Sequence, residues 1–163
     1  MLQGMNVLES YLEIYMDSVS LVERLHRLLL DIMKWELDAA GVTQVNNIQA
    51  LLLYNIGDAE LTAGELRSRG HYLGSNVSYN LKKLVQAGYI HHERSAADRR
   101  SVRVKLTSEG HRIHELVSAM YFRHCAQLPE AGGLDEDKLR KLTGLMFDLE
   151  SFWQDQIKLQ IKK

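Results

Sequence analysis

The sequence has only one cysteine, no long apolar stretch and no signal-peptide pattern at its N-terminus. One cysteine, Cys125, in 163 residues excludes an internal disulfide framework and agrees with a reducing compartment. Charged residues interrupt even the leucine-rich stretch from Leu21 to Ile32, so no segment is long enough to span a bilayer. The N-terminus also lacks the basic and then apolar pattern of a signal peptide. These absences predict a cytoplasmic protein.

Signatures of an enzyme or a metalloprotein are equally scarce. The chain has no glycine-rich phosphate loop, no Ser-His-Asp ordering in a strand-turn-helix context and no metalloprotease helix motif. His111 and His114 lie three residues apart, but no compact Cys/His spacing accompanies them. Cys125 is either an oxidation sensor with Arg123 and His124 as cationic neighbours or a buried structural thiol, which its weakly activating surroundings favour. We therefore predict no enzymatic activity, no cofactor and no metal site.

The charge of the chain is unevenly distributed, although the net charge is only −1. Residues 62–106 hold nine Lys or Arg against three Asp or Glu, a net charge of +6, while residues 1–61 carry −6 and residues 107–163 carry −1. No carboxylate occurs between Leu66 and His92. This basic segment is suited to phosphates, or else it is a solvated face whose acidic partners lie across the fold.

Apolar residues at spacings of three and four predict a mainly helical fold. A capping box at Thr62 and Glu65 opens the short third helix, and Gly41, Gly70 and Gly88 are natural helix stops. The predicted helices are about 7–40, 43–54 with Thr43 as the cap, 63–70, 75–87, 108–126 after a Thr107 cap, and 135 to near the end, following a breaker at 128–133.

Two short strands follow the fourth predicted helix. Residues 89–93 and the alternating segment 102–106 are joined by a charged loop, which predicts a two-stranded β wing with a basic tip. A helix, a turn, a second helix and such a ribbon form the geometry in which a helix enters the major groove of DNA and the ribbon reaches the minor groove. The long terminal helices exceed a minimal DNA-binding module and need a partner surface for their apolar stripes.

The segment 60–110 resembles the MarR family of winged helix-turn-helix regulators. The resemblance rests on Glu65-Leu66, on the apolar positions Val77, Leu81 and Leu84, on Gly88-Tyr89-Ile90, on the wing sequence Asp98-Arg99-Arg100-Ser101-Val102 and on Leu106-Thr107-Ser108-Glu109-Gly110. It implies a homodimer that binds a pseudo-palindromic operator in double-stranded DNA. It also implies a repressor, or less often an activator, whose affinity for DNA is changed by a small effector.

We accordingly expect a winged helix-turn-helix lobe at 59–106 and a helical dimerisation region at 1–58 and 107–163. Polar residues opposite Val77 and Leu81 are expected to contact bases and phosphates, and arginines of the wing to enter the minor groove. The structural alternative is that the helix residues solvate a surface and that Asp98 forms a simple turn salt bridge. The candidate DNA contacts are Ser75, Asn76, Ser78, Tyr79, Lys82, Lys83, Arg94, Asp98, Arg99 and Arg100.

An effector site is expected in the crevice between the dimerisation region and the DNA-binding lobe, because a ligand there can change the separation of two recognition helices. Its candidate lining residues are Tyr15, Trp35, Thr43, Leu61 and His111. The alternative function is a helical protein-protein interaction module without DNA binding, in which the basic segment is only structural. Salt-dependent binding to duplex DNA separates the two hypotheses.

Overall fold

The computed structural model describes the backbone of residues 2–62, 64–66, 74–94 and 102–161, and the side chains of 8–62, 64–66, 77–92 and 103–160. The fold is mainly helical, as predicted, with one small antiparallel sheet. In chain order the elements are α1 (Leu2–Ala39), α2 (Asn47–Ile56), β1 (Leu61–Thr62), α3 (Gly74–Gln86), β2 (Ile90–Arg94), β3 (Val102–Leu106), α4 (Ser108–Ala131) and α5 (Glu136–Ile161).

The predicted end of α1 is confirmed. The amide of Val42 donates to the carbonyl of Leu37 at 2.9 Å, and the amide of Gly41 donates to Asp38 at 3.0 Å. These two bonds close the helix by satisfying carbonyls that have no partner within it.

The predicted start of α2 at Thr43 is wrong, because the cap is Asn46. The Asn46 side chain accepts from the amide of Gln49 at 2.9 Å, and the Gln49 side chain accepts from the amide of Asn46 at 3.1 Å. This reciprocal capping box outcompetes a lone threonine, since it satisfies two amides at once. The buried positions of α2 are Gln49, Ala50, Leu52, Leu53 and Ile56, whereas Ile48 is exposed.

The wing strands are confirmed, but they belong to a three-stranded sheet in the order β1-β3-β2. In the added strand, Leu61 pairs with Val104 and Thr62 pairs with Arg103. Two residues are too few to show the alternation that reveals a strand in a sequence. The predicted capping box is confirmed as well: the amide of Thr62 donates to Glu65 at 2.6 Å and the amide of Glu65 donates to the Thr62 hydroxyl at 3.1 Å.

Helix α4 continues past its predicted end near Ala126, through Pro129, to Ala131. Proline removes one amide donor from the last turn, and the chain then ends the helix at Gly132 and Gly133. The amides of Gly132 and Leu134 both donate to the carbonyl of Leu128, at 3.0 and 3.3 Å. The predicted last helix is confirmed as α5, and Asp135 caps it by accepting from the amide of Lys138 at 2.9 Å.

Cys125 is exposed, so the expectation of a buried structural thiol is wrong. The buried positions of α4 are Gly110, Ile113, Val117 and Met120, at helical spacings of three and four. Cys125 follows Met120 by five residues and therefore falls off that stripe.

The chain divides into two compact units, residues 1–118 and 119–163. In the first unit α1 contacts α2, α2 contacts β3 and α3 contacts β2. Its core contains Met33, Leu37, Leu52, Leu53, Ile56, Leu66, Leu84, Ile90, Val104, Leu106, Ile113 and Val117. The second unit is the remainder of α4 together with α5.

Candidate nucleic-acid interface

The free surface of α3 is determined by the residues that it buries. Val77, Leu81 and Leu84 are 2%, 7% and 1% exposed, and Asn80 is buried beside them. These positions repeat every three to four residues, so they form one face of the helix, and the element that α3 contacts is strand β2. The opposite face is thereby fixed toward solvent.

The solvent face of α3 carries hydroxyl and ammonium groups. Ser78, Tyr79, Lys82 and Lys83 are all exposed, and 62% of the surface of Tyr79 is accessible. The Nζ atom of Lys83 lies 5.8 Å from the centre of the Tyr79 ring, which is within cation–π distance. This face can donate hydrogen bonds to base edges and attract phosphates.

Helix α3 ends in a turn that the sequence predicted correctly. Gly88 has φ of 80°, a left-handed conformation that glycine adopts without a Cβ clash. The amide of Tyr89 donates to Leu84 at 2.9 Å and the amide of Gly88 donates to Val85 at 3.1 Å, which is the Schellman arrangement. The turn sends the chain directly into β2.

The exposed face of the sheet adds a second group of charges next to this turn. Arg103 and Lys105 lie on β3 with their side chains in solvent, and His91 is the cross-strand partner of Lys105. Together with Glu60 they line a cavity of about 270 Å³, in which Arg103 Nε lies 3.8 Å from Glu60 Oε1. Lys82, Lys83 and Lys105 form no ion pair with a carboxylate of the described residues. Within the part of the chain that the structure describes, the positive charge expected from the sequence is therefore not neutralised by an ion pair at these three lysines.

Arg103, Lys105 and His91 were not among the candidate contacts chosen from the sequence. The signal was present in the alternation of Val102 to Leu106, which places residues 103 and 105 on one face of a strand. What the alternation could not show was that His91 and Glu60 converge on that face.

The remaining candidate DNA contacts are placed only in part. Ser75 and Asn76 lie in the first turn of α3, and Arg94 ends β2 opposite Val102; the side chains of all three are outside the described residues. Asp98, Arg99 and Arg100 lie wholly outside them.

Of the five effector-site candidates, Thr43 lines a groove of about 520 Å³ between the end of α1 and the start of α2. Most of the residues that line the groove are polar, and the Lys34 side chain among them donates to Asp38 at 2.6 Å. This hydrogen bond, reinforced by the charge of Asp38, raises the pKa of Lys34 above its ordinary value. Because the ammonium is already paired with a carboxylate, the groove offers a ligand polar rather than net charged contacts.

The other four candidates are not among the residues that line this groove. Trp35 is 67% exposed, Tyr15 is half-buried, and Leu61 is buried in the core. His111 is half-buried, and its Nδ1 atom lies 3.6 Å from a carboxylate oxygen of Asp58.

Among the described residues, no group of three or more His, Cys, Asp and Glu side chains is arranged to hold a metal ion. His114 instead packs at the end of α2, with Nδ1 3.2 Å from the carbonyl oxygen of Tyr54 and the two rings stacked at 5.3 Å. Within the same part of the chain, no helix is long and apolar enough to cross a membrane.

Comparison with known families gives a match over residues 41–101, which fit the family described as MarR family. The matched region contains α2, α3 and the first wing strand. A curated relative, the exopolysaccharide II synthesis transcriptional activator ExpG of Rhizobium meliloti (strain 1021), is 40% identical over 99 residues. The aligned region covers 61% of this chain and 51% of ExpG, so the chain spans about half the length of that relative.

Solved structures share the fold at low identity. FabT of Streptococcus pneumoniae, determined in complex with DNA, is 21% identical, with a TM-score of 0.70 over 87% of this chain and 99% of FabT. The MepR–DNA complex of S. aureus is 18% identical, with a TM-score of 0.68 over 82% of this chain and 96% of MepR. At these identities the structural likeness establishes the fold: a mainly helical winged helix-turn-helix.

Proposed function

We propose, from the premise that this chain belongs to the MarR family through its winged helix-turn-helix region, that it is a sequence-specific DNA-binding regulator of transcription. The observation that carries the proposal is the solvent face of α3. Its hydroxyl groups and exposed lysines lie on a helix whose apolar face is buried in the core. DNA is bound by the FabT and MepR structures of the same fold, and double-stranded DNA is the partner we propose here.

In the proposed complex α3 is the recognition helix and lies in the major groove. Ser75, Asn76, Ser78 and Tyr79 are nearer its start and would contact base edges, whereas Lys82 and Lys83 on its later turns would contact phosphates. The wing would reach the adjacent minor groove through its arginines. The wing contacts that we propose are Arg94, Asp98, Arg99 and Arg100.

We further propose a homodimer, in which the regions 1–58 and 107–163 form the subunit contact and 59–106 is the DNA-binding lobe. The support is the amount of apolar surface that α1 and α5 expose in one chain, which is disfavoured in soluble monomers. A two-fold dimer would present two α3 helices to half-sites one helical turn apart, about 34 Å. The exposed apolar residues include Leu12, Ile14, Leu25, Leu28, Leu142, Leu145, Met146 and Phe152.

One observation bears on whether the protein activates or represses transcription. The relative ExpG is described as a transcriptional activator, which favours activation over the repression that we expected first. A small-molecule effector stays part of the proposal, with Thr43 and its groove as the first place to search. A reporter fused to the bound promoter, compared with and without the protein, measures the sign directly.

The deciding experiment is selection of genomic fragments bound by the purified protein, followed by footprinting and by affinity measurements across a salt series. A protected pseudo-palindrome is expected, together with a preference of about 10³-fold or more over random DNA. Binding that is equal for all sequences, or absent at physiological salt, would contradict the proposal and favour the helical interaction module instead.

A further inference from the structure

Thr107, which lies between β3 and the first turn of α4, bridges the end of α3 and the start of α4. The Thr107 hydroxyl is 2.7 Å from the carbonyl oxygen of Gly88 and 3.1 Å from the amide nitrogen of Gly110. The amide of Thr107 donates to the carbonyl of Tyr89 at 3.1 Å. Gly88 and Tyr89 are the two residues that close α3, so Thr107 contacts the end of one helix and caps the start of the other.

The chemistry of these contacts assigns each role without ambiguity. The carbonyl of Gly88 can only accept, so the Thr107 hydroxyl donates its proton there. The amide of Gly110 can only donate, so a lone pair of the same hydroxyl accepts from it. A hydroxyl has one donor and two acceptor positions, which makes it sufficient for both bonds, whereas a methyl group of similar size provides neither.

The backbones on the two sides of this junction are also in direct contact. A β-carbon at Gly110 would overlap the carbonyl oxygen of Tyr89 and would lie 3.2 Å from side-chain atoms of Leu106. The obstacle is a backbone oxygen that is itself fixed by the turn ending α3, so it cannot move aside as a flexible side chain could. The first turn of α4 therefore lies directly against Tyr89, in the turn that follows α3.

We propose that Thr107 is a positioning residue that makes α3 and the first turns of α4 one rigid body. The inference rests on the proposed function, in which α4 belongs to the dimer contact and α3 to the DNA contact. With this joint intact, the position of the dimer helices sets the separation and angle of the two recognition helices. Thr107 would then determine how strictly the dimer selects the spacing between half-sites, without itself contacting DNA.

The test compares operators of native spacing with operators carrying one or two inserted or deleted base pairs. Thr107→Val removes both hydroxyl bonds and keeps the side-chain shape. We expect the ratio of affinities for native over altered spacing to fall about three- to tenfold, the size expected from a lost hydrogen bond. Affinity for a single half-site should stay within about twofold of wild type, since α3 is unchanged. An unaltered spacing ratio would overturn the proposal.

Two further variants separate positioning from simple loss of stability. Thr107→Ser keeps the hydroxyl and should restore the wild-type spacing ratio, while Thr107→Ala should behave as Thr107→Val and replaces it if the valine variant does not fold. Loss of spacing selection in Thr107→Ser would contradict the role assigned to this joint.

A DNA-independent measurement keeps the inference separate from the proposed function. Residual dipolar couplings of the amides in α3 and in residues 108–118 should fit one common alignment in wild type and require two in Thr107→Val. If wild type bound no DNA but this difference were found, the proposed function would fail and the rigid joint would stand. A common alignment in both proteins would overturn the joint, whatever the DNA measurements show.

Discussion

Helix α1 exposes large apolar side chains, whereas helix α3 exposes polar and basic ones, and this difference indicates different binding partners for the two helices. Helix α3 buries its apolar stripe within its own unit and presents Lys82 and Lys83 to solvent. Helix α1 buries Met33 and Leu37 near its end, but earlier it exposes a series of large apolar residues, among them Leu12 and Ile14. An apolar stripe satisfied within the chain leaves a polar face for nucleic acid, whereas an unsatisfied one calls for a protein partner.

The largest expected effect comes from making the exposed stripe of α1 charged. Leu25→Asp should weaken the proposed dimer by about 3 kcal/mol or more, roughly a hundredfold in Kd, because a two-fold interface contains each substitution twice. Sedimentation equilibrium at micromolar concentration measures the change. Ser20→Asp introduces the same charge at an exposed polar position and is the control. A wild-type protein that sediments as a folded monomer would refute the dimer itself.

The next prediction concerns base recognition on α3. Asn76→Ala should reduce the preference for operator over scrambled DNA by about 1 to 3 kcal/mol per base pair that is no longer recognised. The slope of log K against log salt should hardly change, because the side chain carries no charge. Binding of both duplexes across a salt series gives the two quantities together. A change in slope with unchanged preference would mean that this part of α3 only anchors the protein.

A smaller loss of affinity, independent of DNA sequence, is expected for substitutions on the later turns of the same helix. Lys82→Gln should lower affinity for operator and scrambled DNA alike and should flatten the salt slope by about 0.9, since one phosphate contact releases about that many counterions. Lys141→Gln removes an exposed charge from α5, which is not among the proposed DNA-contacting elements, and should leave the slope unchanged. Equal effects of the two substitutions would indicate that only net charge matters.

The smallest expected effect is at Cys125. Its thiol is exposed, but it belongs to neither of the two compared surfaces, and Cys125→Ser should leave operator affinity within about twofold of wild type. The same should hold after treatment with peroxide, which a gel-shift titration of both proteins measures. Loss of a peroxide response in the serine variant would instead assign the thiol a regulatory role.

Sequence reasoning succeeded where a pattern was long or chemically specific. The stripe of α3, the capping box of Thr62 and Glu65 and the stop at Gly88 all appear in the structure as predicted. It failed where two local signals competed, as between Thr43 and Asn46 for the cap of α2, or where an element was too short to show a period, as in β1. Cys125 was misjudged because residue type alone does not place a side chain relative to a helix stripe.

By itself the sequence determined the periodicities, the caps and the accumulation of positive charge between residues 62 and 106, because these depend on neighbours within about one helical turn or one strand. Only the tertiary structure decided which charges share a surface and which helices are joined. Glu60 precedes β1, yet it lines one cavity with His91 of β2 and Arg103 of β3, and Thr107 meets Gly88 across 19 residues. Such contacts arise from packing between elements distant in sequence, for which no local pattern exists.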